Sequence, residues 1–242
     1  MKLWDKGIKI DKKIEQFTVG NDREIDMHIA KYDVNASLAH AKMLFSIGII
    51  TATEFQQLEK GLSILEKQIH EGTFVIETQF EDVHSKIEFE LTNMFGEVGK
   101  KIHTARSRND QVLVALQLYY KDQLQTIKGL VGTFFDTLLN LAELHKKSLL
   151  PGYTHLQVAM PSSFGLWFSS YAEVIVDDVY LLDAAIKTID QNPLGSAAGY
   201  GSSFPINRTR TTELLGFESL NFNVVYAQMG RGKAERMTAM AM

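Results

Sequence analysis

Apolar residues return every three or four positions through most of this chain, the period of an amphipathic helix. Over residues 107–147, Val112, Leu116, Tyr119, Leu124, Ile127, Leu130, Val131, Phe134, Leu138, Leu141 and Leu144 keep that period almost without pause. At 1.5 Å per residue this segment predicts a helix about 60 Å long, a length that belongs to bundles and oligomers. Gly129 and Gly132 weaken it by roughly 1 kcal/mol each where exposed. Upstream, the pattern predicts an irregular opening to about residue 35, with one short helix near 24–32, then a helix over 36–47 stopped by Gly48. Thr53-Glu54-Phe55-Gln56 has capping-box spacing. It opens a helix with Phe55, Leu58, Leu62, Leu65 and Ile69 on one face, ended by Gly72. Glu81 and Asp82 precede a helix through Phe95, where acidic residues suit the positive end of the dipole.

Downstream, Pro151-Gly152 forces a turn, and Pro161 opens a second long helix through about Asp190. A glycine-rich loop over 192–201, a short helix over 209–215 and a last helix from about Val224 complete the pattern. That last helix still runs at Met242 without a stop signal, so the chain reads as part of a longer protein. Alternation of strand type is nearly absent, and Phe74-Val75-Ile76 is the one candidate. The fold class expected is therefore all-α. A small, mostly helical N-terminal domain over 1–106 precedes a long-helix bundle over 107–242, incomplete at its C-terminus.

Composition narrows the function. The chain has 242 residues, a net charge of −4 and no cysteine. Disulfides, thiolate nucleophiles and zinc–thiolate sites are excluded, and the cytoplasm is the compartment expected. Neither the charge balance nor its distribution marks a nucleic-acid or polybasic membrane surface. No apolar run approaches the roughly 18 residues of a transmembrane helix, and the charged N-terminus lacks a signal-peptide core.

The densest chemistry is His103-Thr104-Ala105-Arg106-Ser107-Arg108-Asn109-Asp110-Gln111, just ahead of the longest helix. Guanidinium forks grip carboxylates in pairs of hydrogen bonds. A helix start adds free N–H groups and positive dipole. This segment predicts a site for a small, carboxylate-rich molecule, against the plainer reading of a solvated turn. Thr154-His155-Leu156-Gln157 places an imidazole at a connector between the long helices, where histidine serves as general acid or base or only as a structural residue. Loop 194–201 has N–H groups able to cradle an anion, or is a plain interhelix turn. It is not a dinucleotide fingerprint, because no strand precedes it, and Gly230-Arg231-Gly232-Lys233 lacks the spacing of a P-loop. Glu81-Asp82-Val83-His84 is explained by capping. His28, His40, His70 and His145 read as surface or packing residues. No metal-ligand spacing occurs.

In combination these pieces resemble the argininosuccinate lyases of the fumarase/aspartase superfamily, over essentially the whole chain. The resemblance rests on Tyr32-Asp33-Val34-x-x-Ser37-x-Ala39-His40-Ala41, on Glu81–His84 and on His103–Gln111. It continues in Gly152-Tyr153-Thr154-His155-Leu156-Gln157 and Pro193-Leu194-Gly195-Ser196. It implies cleavage of argininosuccinate to arginine and fumarate without a cofactor or metal, in a cytoplasmic homotetramer whose active sites each draw on three subunits. It implies substrate contacts at Ser107, Arg108, Asn109 and Thr154, and a catalytic role for His155. Asp22, in Gly20-Asn21-Asp22-Arg23, takes the place of a serine-bearing substrate contact. The family's mobile glycine-serine-serine loop, with its serine and lysine, has no counterpart in these 242 residues, which implies little turnover by the chain alone. The alternatives are a sibling fumarate-releasing lyase, such as adenylosuccinate lyase, and a crystallin-like scaffold without chemistry. The Ser-Arg-Asn-Asp segment disfavours the sibling.

Overall fold

The computed structural model describes residues 11–241. In chain order these form α1 (Lys12–Val19), α2 (Asp22–Ile25), α3 (Ala30–Ser46), α4 (Ala52–His70), α5 (Val83–Phe95), α6 (Glu97–Lys100) and α7 (Arg108–Leu144). The hairpin β1 (Leu149–Thr154) and β2 (Gln157–Ser163) follows, then α8 (Phe164–Ile189), β3 (Gln191–Asn192), α9 (Arg208–Leu215), β4 (Ser219–Leu220), α10 (Val224–Met229) and α11 (Lys233–Ala241). The fold is helical, as the periodicity predicts. Two compact units divide it. One holds the residues up to Tyr119 with Asp190–Gly232, the other Tyr120–Ile189 with the residues from Lys233 onward.

In the first unit, the apolar face read on α4 is the core: Leu58, Leu62 and Leu65 are fully buried, with Leu44 of α3, Phe80, and Ile87 and Leu91 of α5. Each such side chain contributes about 1.5–3 kcal/mol by leaving water. Two glycines set how closely elements approach. A Cβ on Gly61 would lie 2.6 Å from Leu91 Cδ2, and one on Gly99 2.3 Å from the Leu91 backbone. A short parallel pair, Gln191 with Ser219 and Asn192 with Leu220, braces this unit. Buried Asn192 ties it further, its Nδ2 donating to Thr211 Oγ1 at 3.0 Å and Thr212 Oγ1 at 2.9 Å.

The second unit packs α8 and α11 beside the later turns of α7, around Leu124, Leu182, Ala185, Ile189 and Ala234. Lys128 Nζ meets Asp183 Oδ1 at 2.5 Å on its surface. Much apolar surface stays open here, including Leu130, Phe134, Leu166, Trp167, Val174 and Tyr180. No described helix is long and apolar enough to cross a membrane.

The structure corrects several local expectations. Residues 11–34 are mostly helical, and α3 begins at Ala30 rather than near 36. The box that opens α4 is Thr51 with Glu54, not Thr53 with Gln56. Thr51 N–H donates to Glu54 Oε2 at 2.9 Å, and Glu54 N–H to Thr51 Oγ1 at 3.3 Å. A carboxylate is the stronger acceptor, so it wins over the amide two residues on. Phe74-Val75-Ile76 is not a strand. The largest miss is the hairpin over residues 149–163, read from sequence as a turn and a helix start. Pro151 and Pro161 face one another in its register, and prolines argue against paired strands. Its two-residue turn, His155-Leu156, carries φ of +49° and +64° without a glycine to signal it. The last helix is interrupted: Gly230 to Gly232 separate α10 from α11.

Candidate active site

α7 begins at Arg108 because Ser107 caps it. Ser107 Oγ accepts the Asn109 N–H and the Asn109 Nδ2, each at 3.2 Å. Ser107 N–H returns to Asp110 Oδ1 at 2.9 Å, the reciprocal arrangement of a capping box. Ser107, Arg108 and Asn109 thus share one turn at the positive end of a helix of 37 residues. Arg108 is held at one end of its fork, Nη1 donating to Asp82 Oδ2 at 2.7 Å, and 21 % of its side chain is exposed. Asp82 is fixed in turn as the cap of α5, accepting the Ser85 N–H at 2.7 Å. This turn offers donors and positive potential to an anion, and His103 lies just ahead of it in the chain. Burial, then the Arg106 charge, holds the His103 pKa below its ordinary value.

Arg106, the other guanidinium of the motif, does not join that surface. It is buried, with Nη1 donating to Ser37 Oγ at 3.1 Å and Nε without a protein partner. Around it lies a polar interior that sequence reasoning missed. Asp33, Ser37 and His40 follow one another at i, i+4 and i+7 on the buried face of α3. That spacing was the available signal. Asp33 accepts His84 Nδ1 at 2.8 Å and Gln111 Nε2 at 2.9 Å. Burial opposes both charges, yet the Asp33 carboxylate and the neighbouring Asp82 and Asp26 raise the His84 pKa. Despite the same burial, His84, Arg106 and Gln111 lower that of Asp33. His40 donates from Nε2 to the Thr104 carbonyl at 2.8 Å. Its pKa is pushed down to about 3 by burial and then by Arg106, so it is neutral.

The glycine-rich loop does cradle an anion, and the anion belongs to the chain. Gly195 N–H and Ala197 N–H both donate to Asp110 Oδ2 at 2.9 Å.

The remaining candidates lie elsewhere. Thr154 ends β1 and His155 follows it at the hairpin tip in the second unit, both exposed. Asp22 is the first residue of the four-residue α2 and is also exposed. Near the hairpin root, a cleft of about 560 Å³ is lined by Leu150, Pro151, Tyr153, Phe164 and Trp167, with Ser162 and Ser170. It carries no charged side chain and offers little to a dianion. Among the described residues no three His, Asp or Glu side chains gather as metal ligands.

A helical fold with long helices, and a donor-rich turn at the head of the longest, define the class to which known proteins can be compared. The chain belongs to the Lyase family, whose model matches residues 6–234. Similar curated proteins include argininosuccinate lyases. That of Bacteroides thetaiotaomicron is 56% identical over 241 residues, covering 100% of this chain and 54% of the relative. That of Bacteroides fragilis is 57% identical with the same coverage. That of Thermotoga neapolitana is 44% identical over 97% of this chain and 59% of its own. The chain therefore spans about half the length of the curated relatives it matches. Among solved structures, an EDDS lyase variant with bound fumarate is similar at a TM-score of 0.78 and 26% identity, covering 98% of this chain and 46% of that one. A fumarate lyase:delta crystallin from Brucella melitensis shares the fold at a TM-score of 0.75 and 13% identity, covering 98% and 59%.

Proposed function

We propose that this chain supplies the substrate-binding turn and the imidazole of a cytoplasmic carbon–nitrogen lyase, which cleaves argininosuccinate to arginine and fumarate in arginine biosynthesis. The observation that carries the reading is the Ser107–Asn109 turn: a capped helix start, a partly open guanidinium and an amide, all donors suited to carboxylates. Similarity to argininosuccinate lyases along the whole chain supports argininosuccinate as the substrate.

In this reading Ser107, Arg108, Asn109 and Thr154 bind the succinyl carboxylates, and Asp22 makes an outlying contact. A base takes the proton from the carbon beside a carboxylate, and the electron pair passes into that carboxylate as an aci-form. Collapse forms the fumarate double bond and breaks the carbon–nitrogen bond, while an acid protonates the departing guanidinium nitrogen. His155 takes part in this proton traffic. Fixed donors around the developing charge supply the largest part of the rate. A homotetramer brings the hairpin of one subunit to the turn of another. The open apolar face of the second unit supports assembly, since contiguous apolar surface of that kind marks an interface.

The test joins residues 1–242 to the remaining length of the Bacteroides fragilis relative and follows fumarate by absorbance. The chimera is expected to release fumarate from argininosuccinate, and His155→Ala to lower turnover by about 10²-fold or more with the fold intact. Fumarate from adenylosuccinate, aspartate or EDDS in preference to argininosuccinate would overturn the substrate. The 242 residues alone are expected to show little turnover.

A further inference from the structure

We propose that Asp110 is a positioning residue, a buried clamp that locks the glycine-rich loop to the Ser107–Asn109 turn. The proposal rests on reading that turn as substrate-binding. Asp110 is completely buried and uses both carboxylate oxygens on backbone donors. Oδ1 takes the Ser107 N–H, and Oδ2 takes the Gly195 and Ala197 N–H groups, each at 2.9 Å. Two segments some 85 residues apart in sequence thus meet on one side chain.

Capping alone needs only Oδ1. The second oxygen is spent on a loop that has no stake in the helix, and that loop is held in an unusual shape to meet it. Gly195 and Ala197 have φ of +88° and +51°, a concave arrangement of N–H groups that closes on an anion. Arg208 secures the far side, donating from Nε to the Leu194 carbonyl at 3.0 Å and from Nη2 to the Asn221 carbonyl at 2.8 Å. A Cβ on Gly195 would lie 2.7 Å from Arg208 Cγ, so the position takes no other residue without rearrangement. Gln228 adds a hydrogen bond from Nε2 to Ser196 Oγ at 2.9 Å. The loop is therefore stiff, and Asp110 transmits its stiffness to Ser107. The Ser107 hydroxyl in turn orients both the N–H and the side-chain amide of Asn109. Without the carboxylate three N–H groups lose their acceptor, the buried Gly195 N–H and the half-buried Ser107 and Ala197 N–H groups, and an unmet buried donor is costly.

Hydrogen exchange on the 242-residue chain tests the clamp. Asp110→Asn is expected to speed exchange at least tenfold in both 103–111 and 193–201, while residues 58–65 of α4 keep wild-type rates. Faster exchange confined to 103–111 is a cap without a clamp and overturns the proposal, as does no change in either segment. Should the variant not fold, wild-type amides decide. Ser107, Gly195 and Ala197 exchange through one common opening if the clamp exists and at independent rates if it does not. In the chimera, Asp110→Asn should raise KM for argininosuccinate by about 10–100-fold with a smaller fall in kcat. A uniform loss of active protein would leave KM unchanged and would sink the positioning role. If the wild-type chimera is inactive while the exchange results hold, the functional reading fails and the clamp stands.

Discussion

Replacing Asp33 with alanine removes the acceptor from a fully buried imidazole. In the native chain Asp33 takes His84 Nδ1 at 2.8 Å and Gln111 Nε2 at 2.9 Å, and neither Asp33 nor His84 has meaningful access to water. Removing one member of a buried ion pair costs about 3–5 kcal/mol, because the other charge is left without a partner. Domain stabilities total only about 5–15 kcal/mol, so this is a large fraction. At roughly 2–4 °C per kcal/mol for a chain of this length, Asp33→Ala is expected to lower the melting temperature of the first unit by about 6–20 °C. Circular dichroism at 222 nm with a thermal ramp measures this. The double replacement Asp33→Leu/His84→Leu should lose less than Asp33→Ala, because the imidazole leaves with its partner and only Arg106 and Gln111 are deprived of the carboxylate. The pH dependence has two signs. The raised His84 pKa gives stability present below about pH 6.5 and lost as pH climbs through its folded value. The lowered Asp33 pKa gives stability present above about pH 3.9 and lost as pH falls through its folded value. The gap between wild type and Asp33→Ala should therefore be widest between those limits. A variant melting within a degree of wild type, or costs that simply add in the double replacement, would refute an ion pair at this position.

His40 acts in the opposite sense to His84. Its folded pKa of about 3 means that the unfolded chain takes up a proton as pH falls below about 6.5 while the native chain does not, so stability drops across that window. His40→Gln should flatten this part of the stability–pH curve in urea titrations, and an unchanged slope would refute a neutral buried His40. At the hairpin tip, Leu156 is 98% exposed with φ of +64°. Leu156→Gly removes left-handed strain of about 1–2 kcal/mol against an unfolded-state entropy of about 0.4–1 kcal/mol. A net gain of roughly 0.5–1 kcal/mol should appear as slower hydrogen exchange over 149–163, and faster exchange would contradict the strain.

What the sequence by itself determined is what local period and local capping can specify. The apolar stripes of α4 and α7, the Asp82 cap of α5 and the stop at Gly72 are all readable, because each depends on neighbours within a turn or two. The donors of Ser107, Arg108 and Asn109 at a helix head were legible for the same reason. Tertiary structure alone decided which polar groups face inward. Arg106 and Arg108 are two residues apart, a separation that puts them on different faces of the chain, and only packing against Ser37 and Asp82 shows which fork is buried. The carboxylate that fills the glycine-rich loop lies some 85 residues upstream of it, beyond the reach of any local pattern. The hairpin escaped for a related reason. Its strands are stabilised by pairing with each other across a turn of non-glycine residues, and that cross-strand energy leaves no periodic trace in either strand alone.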